Sequence, residues 1–159
     1  MEASELARLT FFSDFEPREL ELLAGLMTFQ KLDGLSYVFR KGDRATHCFF
    51  VLEGAVEVSV DGADGRQEVV ATLESGSLFG EIALVDGGLR SASCRASMSG
   101  VKLAGLGRAE FDQIFNAGSP FAYKLMDLIG ERVVTRVRSA AVELLDVVMQ
   151  ERAKSPYLG

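Results

Sequence analysis

The sequence predicts an α+β domain in which short antiparallel strands, arranged as a sandwich, barrel or jelly roll, lie between short leading helices and one long trailing helix. Between Met27 and Leu106 turn residues recur at intervals of about ten (KLDG, RKGD, LEG, DGADG, ESG, DGG and MSG), and the stretches between them are apolar or alternating. Ahead of this block, SELARLTFFSDFEPRELELLAGLM reads as helical pieces. After Gly107 glycine becomes sparse, and RAEFDQIFN and LMDLIGERVVTRVRSAAVELLDVVMQ carry helical periodicity.

In chain order, Ser13 and Asp14 start a turn. Pro17 suits a first helical position, where its missing N–H costs nothing, and Leu20, Leu23 and Ala24 then share one face. The strand candidates are SYVF, HCFFVL, AVEVSV, EVVATL, SASCRAS and KLAGL. AVEVSV alternates and VDGADGRQ is a hairpin turn, so Ala55 to Val60 and Gln67 to Leu73 are expected to pair antiparallel. RAEFDQIFN is one helix, and Ser119-Pro120 opens the long one. This divides the chain into an N-terminal helical segment (1–26), a β-roll (27–107), C-terminal helices (108–150) and a short tail (151–159).

Along the long helix Met126, Gly130, Val133, Val137, Ala140, Leu144 and Val147 recur in steps of four and three, which is a heptad seam. Ala141, Leu145 and Val148 flank it, and Leu125, Leu128 and Ile129 are placed to rest on the barrel. A helix docked only on its own domain would explain part of this pattern. Its length beyond any barrel that some eighty residues can build favours a parallel homodimer along the seam.

Composition excludes several function classes. The 159 residues suffice for one core, 48% are apolar and 25% charged, and the net charge of −6 with a pI near 4.9 argues against direct DNA binding, which needs a clustered basic face. No apolar run reaches the roughly 20 residues that cross a bilayer, and MEASELARL has no signal-peptide core, so no membrane association and a cytoplasmic location are expected. Cys48 and Cys94 lie in apolar segments as packed free thiols, and with the lone His47 they offer too few ligands for a metal enzyme.

The stretch from Phe79 to Ala96, FGEIALVDGGLRSASCRA, carries the chemistry. Gly80 before a short helical run lets backbone approach a ligand while the run's first amides point at an anion. Arg90 supplies a planar fork of positive charge and Ser91 a hydroxyl. With one cation and no GxxxxGK[ST] motif, the anion is a singly charged phosphate rather than a triphosphate. Glu81 would repel that phosphate but would accept from a sugar hydroxyl beside it, so a phosphorylated sugar fits both groups. A Glu81–Arg90 ion pair bracketing a surface turn explains the same residues without a ligand.

FGEIALVDGGLRSASCRA resembles the phosphate-binding cassette of the cyclic nucleotide-binding domain family, in which Phe-Gly-Glu-x-Ala-Leu precedes a loop and Arg-Ser/Ala/Thr-Ala. The similarity covers about residues 6 to 140, including LTFFSDFEPRELELLAGLM, FRKGDRATHCFFVLEGAVEV with Gly42, Asp43 and Gly54, and the long helix. It implies an antiparallel β jelly-roll barrel with N-terminal helices and a long C-terminal helix. It also implies that Gly80, Ile82 and Ala83 offer amides to a cyclic phosphate, Glu81 accepts the ribose 2′-hydroxyl, and Arg90 and Ser91 bind the phosphate oxygens. Leu89 stands where many eukaryotic members carry proline. Ser91, similar to bacterial cAMP responders, favours cAMP over cGMP.

The base would lie against Val69 or Ala71 under the long helix, with Ser139 or Arg136 as its polar contact. Only about ten residues follow that helix, so no helix-turn-helix reader is expected. The resemblance implies a stand-alone, non-enzymatic sensor with no cofactor, acting through an unidentified effector protein or the dimer interface. The competing expectations are a degenerate domain that docks without ligand and a cupin-like enzyme, which the lone histidine disfavours.

Overall fold

The computed structural model describes residues 2–82, 87–118 and 120–154. Two short helices, α1 (Glu2–Leu6) and α2 (Pro17–Leu26), flank a 3-10 turn at Thr10–Phe12. Six strands follow: β1 (Thr28–Leu32), β2 (Tyr37–Phe39), β3 (His47–Asp61), β4 (Gln67–Glu74), β5 (Leu78–Phe79) and β6 (Ser93–Gly107). The described chain ends with α3 (Arg108–Asn116) and α4 (Pro120–Lys154). The strands form one antiparallel sheet in the order β1-β6-β3-β4, with β2 on β6 and β5 on β3. The sheet does not close on itself, and the result is a jelly-roll-like sandwich.

α2 starts at Pro17, and the Glu19 carboxylate turns back to accept the Glu16 N–H at 2.8 Å. The same carboxylate accepts from Lys124 Nζ of α4 at 2.9 Å, which ties the two ends of the chain together. The Glu16 amide, with Lys124 second, holds the Glu19 carboxyl below its ordinary range.

HCFFVL is apolar throughout because β3 has two buried faces. Alternation sends Cys48, Phe50 and Leu52 toward the helices, and Phe49 and Val51 into the roll. β6 does the same, with Ala104 and Leu106 on the helical side and Val101 and Leu103 inside. Phe50 meets Phe11 and Phe12 at 5.0 Å between ring centres, so TFFSDF serves as the aromatic filler under the sheet. Leu20, Leu23 and Ala24 are buried on the same core, as their shared face predicts.

The hairpin pairs run from Ala55 with Glu74 to Asp61 with Gln67, so each strand extends one residue beyond AVEVSV and its expected partner. Other details differ from the sequence reading. LEG and MSG are not reversals but lie inside β3 and β6, so each pair of expected strands is one long, bent strand. Gly54 (φ +80°) and Gly100 (φ +83°) stack at the bend, and the register slips beside Gly54. A β-bulge uses the same residue types as a turn, and composition alone does not separate them. Thr28–Leu32 also pairs with β6, although it was not among the expected strands.

Leu125 and Ile129 of α4 are buried on the helical core, and Leu128 and Val133 lean on it. From Val134 to Lys154 every residue is exposed in the single chain. The helix runs to Lys154, four residues past the expected end.

The Gly54 bend gives a stability prediction. A Cβ at Gly54 would sit 2.3 Å from the Gly100 carbonyl oxygen, whereas at Gly65 (φ +78°) nothing lies within 4 Å. Gly65→Ala is expected to cost about 1–2 kcal/mol, the left-handed strain alone, and Gly54→Ala about 3 kcal/mol or more, both read from urea midpoints.

Candidate functional site

The site is assembled around Arg90. The backbone of the 40–44 turn grips it from both sides: Gly42 N–H donates to the Arg90 carbonyl at 2.8 Å, and Arg90 N–H donates to the Asp43 carbonyl at 2.8 Å. Its side chain is 8% exposed and reaches inward, where Nη2 donates to the His47 carbonyl at 2.6 Å and Nη1 to the Gly80 carbonyl at 3.3 Å. The guanidinium lies 3.9 Å over the Phe39 ring and 6.0 Å from the Phe49 ring centre. Burial draws Arg90 below the ordinary arginine value, but a guanidinium stays charged in protein conditions. Among the described residues its buried Nε has no hydrogen-bond partner.

Gly80 is required by this arrangement. It has φ +73°, and a Cβ there would stand 2.7 Å from Arg90 Nη1. Glu81, the next residue, is fully buried. Arg136 Nη1, from α4, comes within 3.0 Å of its Oε1, but off the hydrogen-bonding directions, so among the described residues neither carboxylate oxygen receives an aligned donor. Arg136 Nη2 also donates to the Leu78 carbonyl at 2.7 Å. Among the described residues Glu81 therefore pairs with the long helix, and the alternative of a Glu81–Arg90 pair bracketing a turn is not the arrangement found.

These groups face a cavity of about 540 Å³ whose apolar walls include Phe39, Val58, Leu73, Phe79 and Cys94. Of the sequence candidates, Gly80, Glu81, Ile82, Arg90, Ser91, Ala71 and Arg136 line it together. Ala83 lies outside the described residues. Val69 and Ser139 are not among the lining residues. An extra residue at Val70 shifts the register, so that Ala71 sits opposite Val58 on the cavity side while Val69 sits opposite Ser59 and is exposed. Ser139 falls three residues beyond Arg136, where α4 has already left the roll, and is exposed.

Sequence reading missed the parts that hold Arg90: Phe39, the His47 carbonyl and the gripping amide and carbonyl of Gly42 and Asp43. The only signal available was the crowding of RKGD directly after an aromatic strand residue. Among the described residues no group of three or more His, Cys, Asp or Glu is placed to hold a metal.

Residues 30–117 match the family described as the cyclic nucleotide-binding domain. The chain belongs to that family, whose domain is a regulatory, non-catalytic fold. It is similar to the cAMP-activated global transcriptional regulator Vfr of Pseudomonas aeruginosa, 29% identical over 117 residues, covering 70% of this chain and 54% of that protein. It is also similar to the acetyltransferase Pat of Mycolicibacterium smegmatis, 30% identical over 142 residues, covering 89% of this chain and 42% of that one. Among solved structures, the Thermus thermophilus catabolite activator protein superposes with a TM-score of 0.77 at 26% identity, covering 90% of this chain and 64% of that one. The chain thus spans about half or less of the length of these curated relatives. No helix among the described residues is long and apolar enough to cross a membrane.

The two thiols yield a prediction. Burial pushes Cys94 up to about 12, against the pull of Arg90 and Arg136, and pushes Cys48 up to about 12 with help from the Glu81 charge. Below pH 9 both are protonated folded or unfolded; between 9 and 12 only the unfolded chain loses the protons, so stability falls as pH rises. Alkaline urea titrations should show about 1.4 kcal/mol lost per thiol per pH unit in that window, and Cys94→Ala should remove one thiol's share of the slope.

Proposed function

We propose that the cavity binds a cyclic mononucleotide, cAMP ahead of cGMP, and that the chain acts as a sensor. The observation that carries this reading is a matched pair of unmet needs. Among the described residues, a fully buried carboxylate without an aligned donor, Glu81, stands in one cavity with a buried guanidinium that lacks an acceptor at Nε, Arg90. Each orphaned group costs on the order of 1–3 kcal/mol, so a ligand offering a hydroxyl donor and a singly charged anion would relieve both. A ribose cyclic phosphate is such a ligand. Arg90 and Ser91 would take its phosphate, Glu81 its 2′-hydroxyl, and Val58, Ala71 and Leu73 the face of its base. Ser91 is the residue type that supports cAMP.

Arg136 links this site to a response. It reaches from α4 onto Glu81 and the Leu78 carbonyl, so a ligand that bonds Glu81 meets the contact tying the helix to the cassette. The distal part of α4 exposes Val137, Leu144 and Val147 on the heptad seam, which supports a homodimer through this helix. Its response would pass to an effector protein or across that interface, rather than to DNA directly.

Isothermal titration with cAMP and cGMP tests the site, with tighter binding of cAMP expected. Arg90→Ala leaves a buried anion uncompensated at about 3–5 kcal/mol, which predicts a hundredfold loss or more. Undiminished binding would remove the assignment. The wild-type chain giving no heat with either nucleotide would favour a docking module whose Glu81 is permanently answered by Arg136. For the interface, sedimentation should show a dimer that Leu144→Glu converts to monomer.

A further inference from the structure

The segment RKGDR (40–44) concentrates three cations against one carboxylate in a chain of net charge −6. Its backbone is already bound to the site, through the Gly42 and Asp43 hydrogen bonds to Arg90 and a third from Ala45 N–H to the Gly88 carbonyl at 3.1 Å. The three cations are not equivalent. Arg40 lies 4.3 Å over the Tyr37 ring, and Lys41 pairs with Asp61 at 3.4 Å. The Asp43 carboxylate is turned back onto the Arg40 amide at 2.9 Å. Arg44 is exposed and, among the described residues, has no ion pair or ring contact.

Its position is set by an antiparallel bridge to Leu89. Residues opposite each other across such a bridge send their side chains to the same side. Leu89 lines the cavity and is 71% exposed, so it stands at the mouth, and the Arg44 side chain leaves the backbone beside it. Besides Arg136, which is held on Glu81, the site has cations at two depths: Arg90, buried and held by two carbonyls, and Arg44, which among the described residues is uncommitted at the rim.

We propose that Arg44 is a capture residue: it draws the anionic ligand to the mouth and speeds association, while Arg90 holds the ligand once it is inside. This rests on the cyclic nucleotide reading above. The physical need is plain, because a molecule of net charge −6 repels an approaching anion and the inner guanidinium lies deep behind the mouth. An exposed, unpaired arginine contributes little to a bound state in water, but it acts on a charge arriving through solvent. That action reaches roughly 30 Å at 0.01 M salt and about 3 Å at 1 M.

Stopped-flow association of the full chain with an 8-substituted fluorescent cAMP tests it. At about 0.01 M ionic strength Arg44→Gln should bind roughly two- to fourfold more slowly than wild type, with the dissociation rate unchanged, and the difference should close near 0.5 M salt. Arg44→Lys should restore the rate. Arg18→Gln, the same charge change on exposed α2 behind the sheet, should slow it much less. An association rate in Arg44→Gln equal to wild type at low salt, a loss confined to dissociation, or equal slowing in Arg18→Gln would overturn the proposal while leaving the binding site intact. A wild-type chain that binds no cyclic nucleotide would overturn the reading beneath it as well.

Discussion

A guanidinium taken out of water with no carboxylate at hydrogen-bonding distance among the described residues is the constraint around which this roll is organised. Arg90 is answered by two backbone carbonyls and an aromatic face instead of a full counter-charge. Carbonyl dipoles neutralise a charge only when they are aimed and immobile, and the surrounding elements supply that rigidity. His47 begins β3, Gly80 follows β5, Phe39 ends β2, and the 40–44 turn clamps the main chain of Arg90 itself. Four separate elements therefore have to be in register before one side chain is in place. The residual deficit among the described residues, an Nε without an acceptor, faces the cavity side of this arrangement.

The long helix belongs to two environments. Its first three turns are part of the core, with Leu125 and Ile129 buried and Lys124 donating both to Glu19 and to the Asp14 carbonyl at 3.0 Å. Beyond Val133 it leaves the domain with a dense set of valines and leucines uncovered. Arg136 sits just past that boundary and is a described bond from the outgoing helix back to the roll, reaching Glu81 and Leu78 together. Core packing fixes the first turns of α4, and the Arg136 side chain at the cavity restrains its middle.

Much of the fold was legible in the residues. Pro17, the Leu20–Leu23–Ala24 face, the VDGADGRQ hairpin and RAEFDQIFN stand where local pattern puts them, because each is governed by contacts within a few positions. The strand bends were not legible. LEG and MSG carry the glycine of a turn, and only the facing of Gly54 and Gly100 across two strands makes them bulges. The same limit runs through the site. Gly80, Glu81, Arg90 and Ser91 lie in one stretch and could be grouped from it, whereas Phe39 and the His47 carbonyl come from about 40 to 50 positions away and act through a ring face and a main-chain oxygen that no residue pattern marks. Val69 went astray for an equally local reason, since one inserted residue in β4 reverses which side chain faces inward.

The free stretch of α4 is a long arm on a short mount. Beyond its Arg136 tether, to Lys154, it extends about 27 Å, and a rotation of about six degrees at its base sweeps the far end through roughly 3 Å. Displacements too small to disturb a single aromatic contact inside the roll would thus arrive at the tip as a change of nearly one atomic diameter. A surface packed against those distal valines and leucines would meet an amplified copy of any movement at the mount.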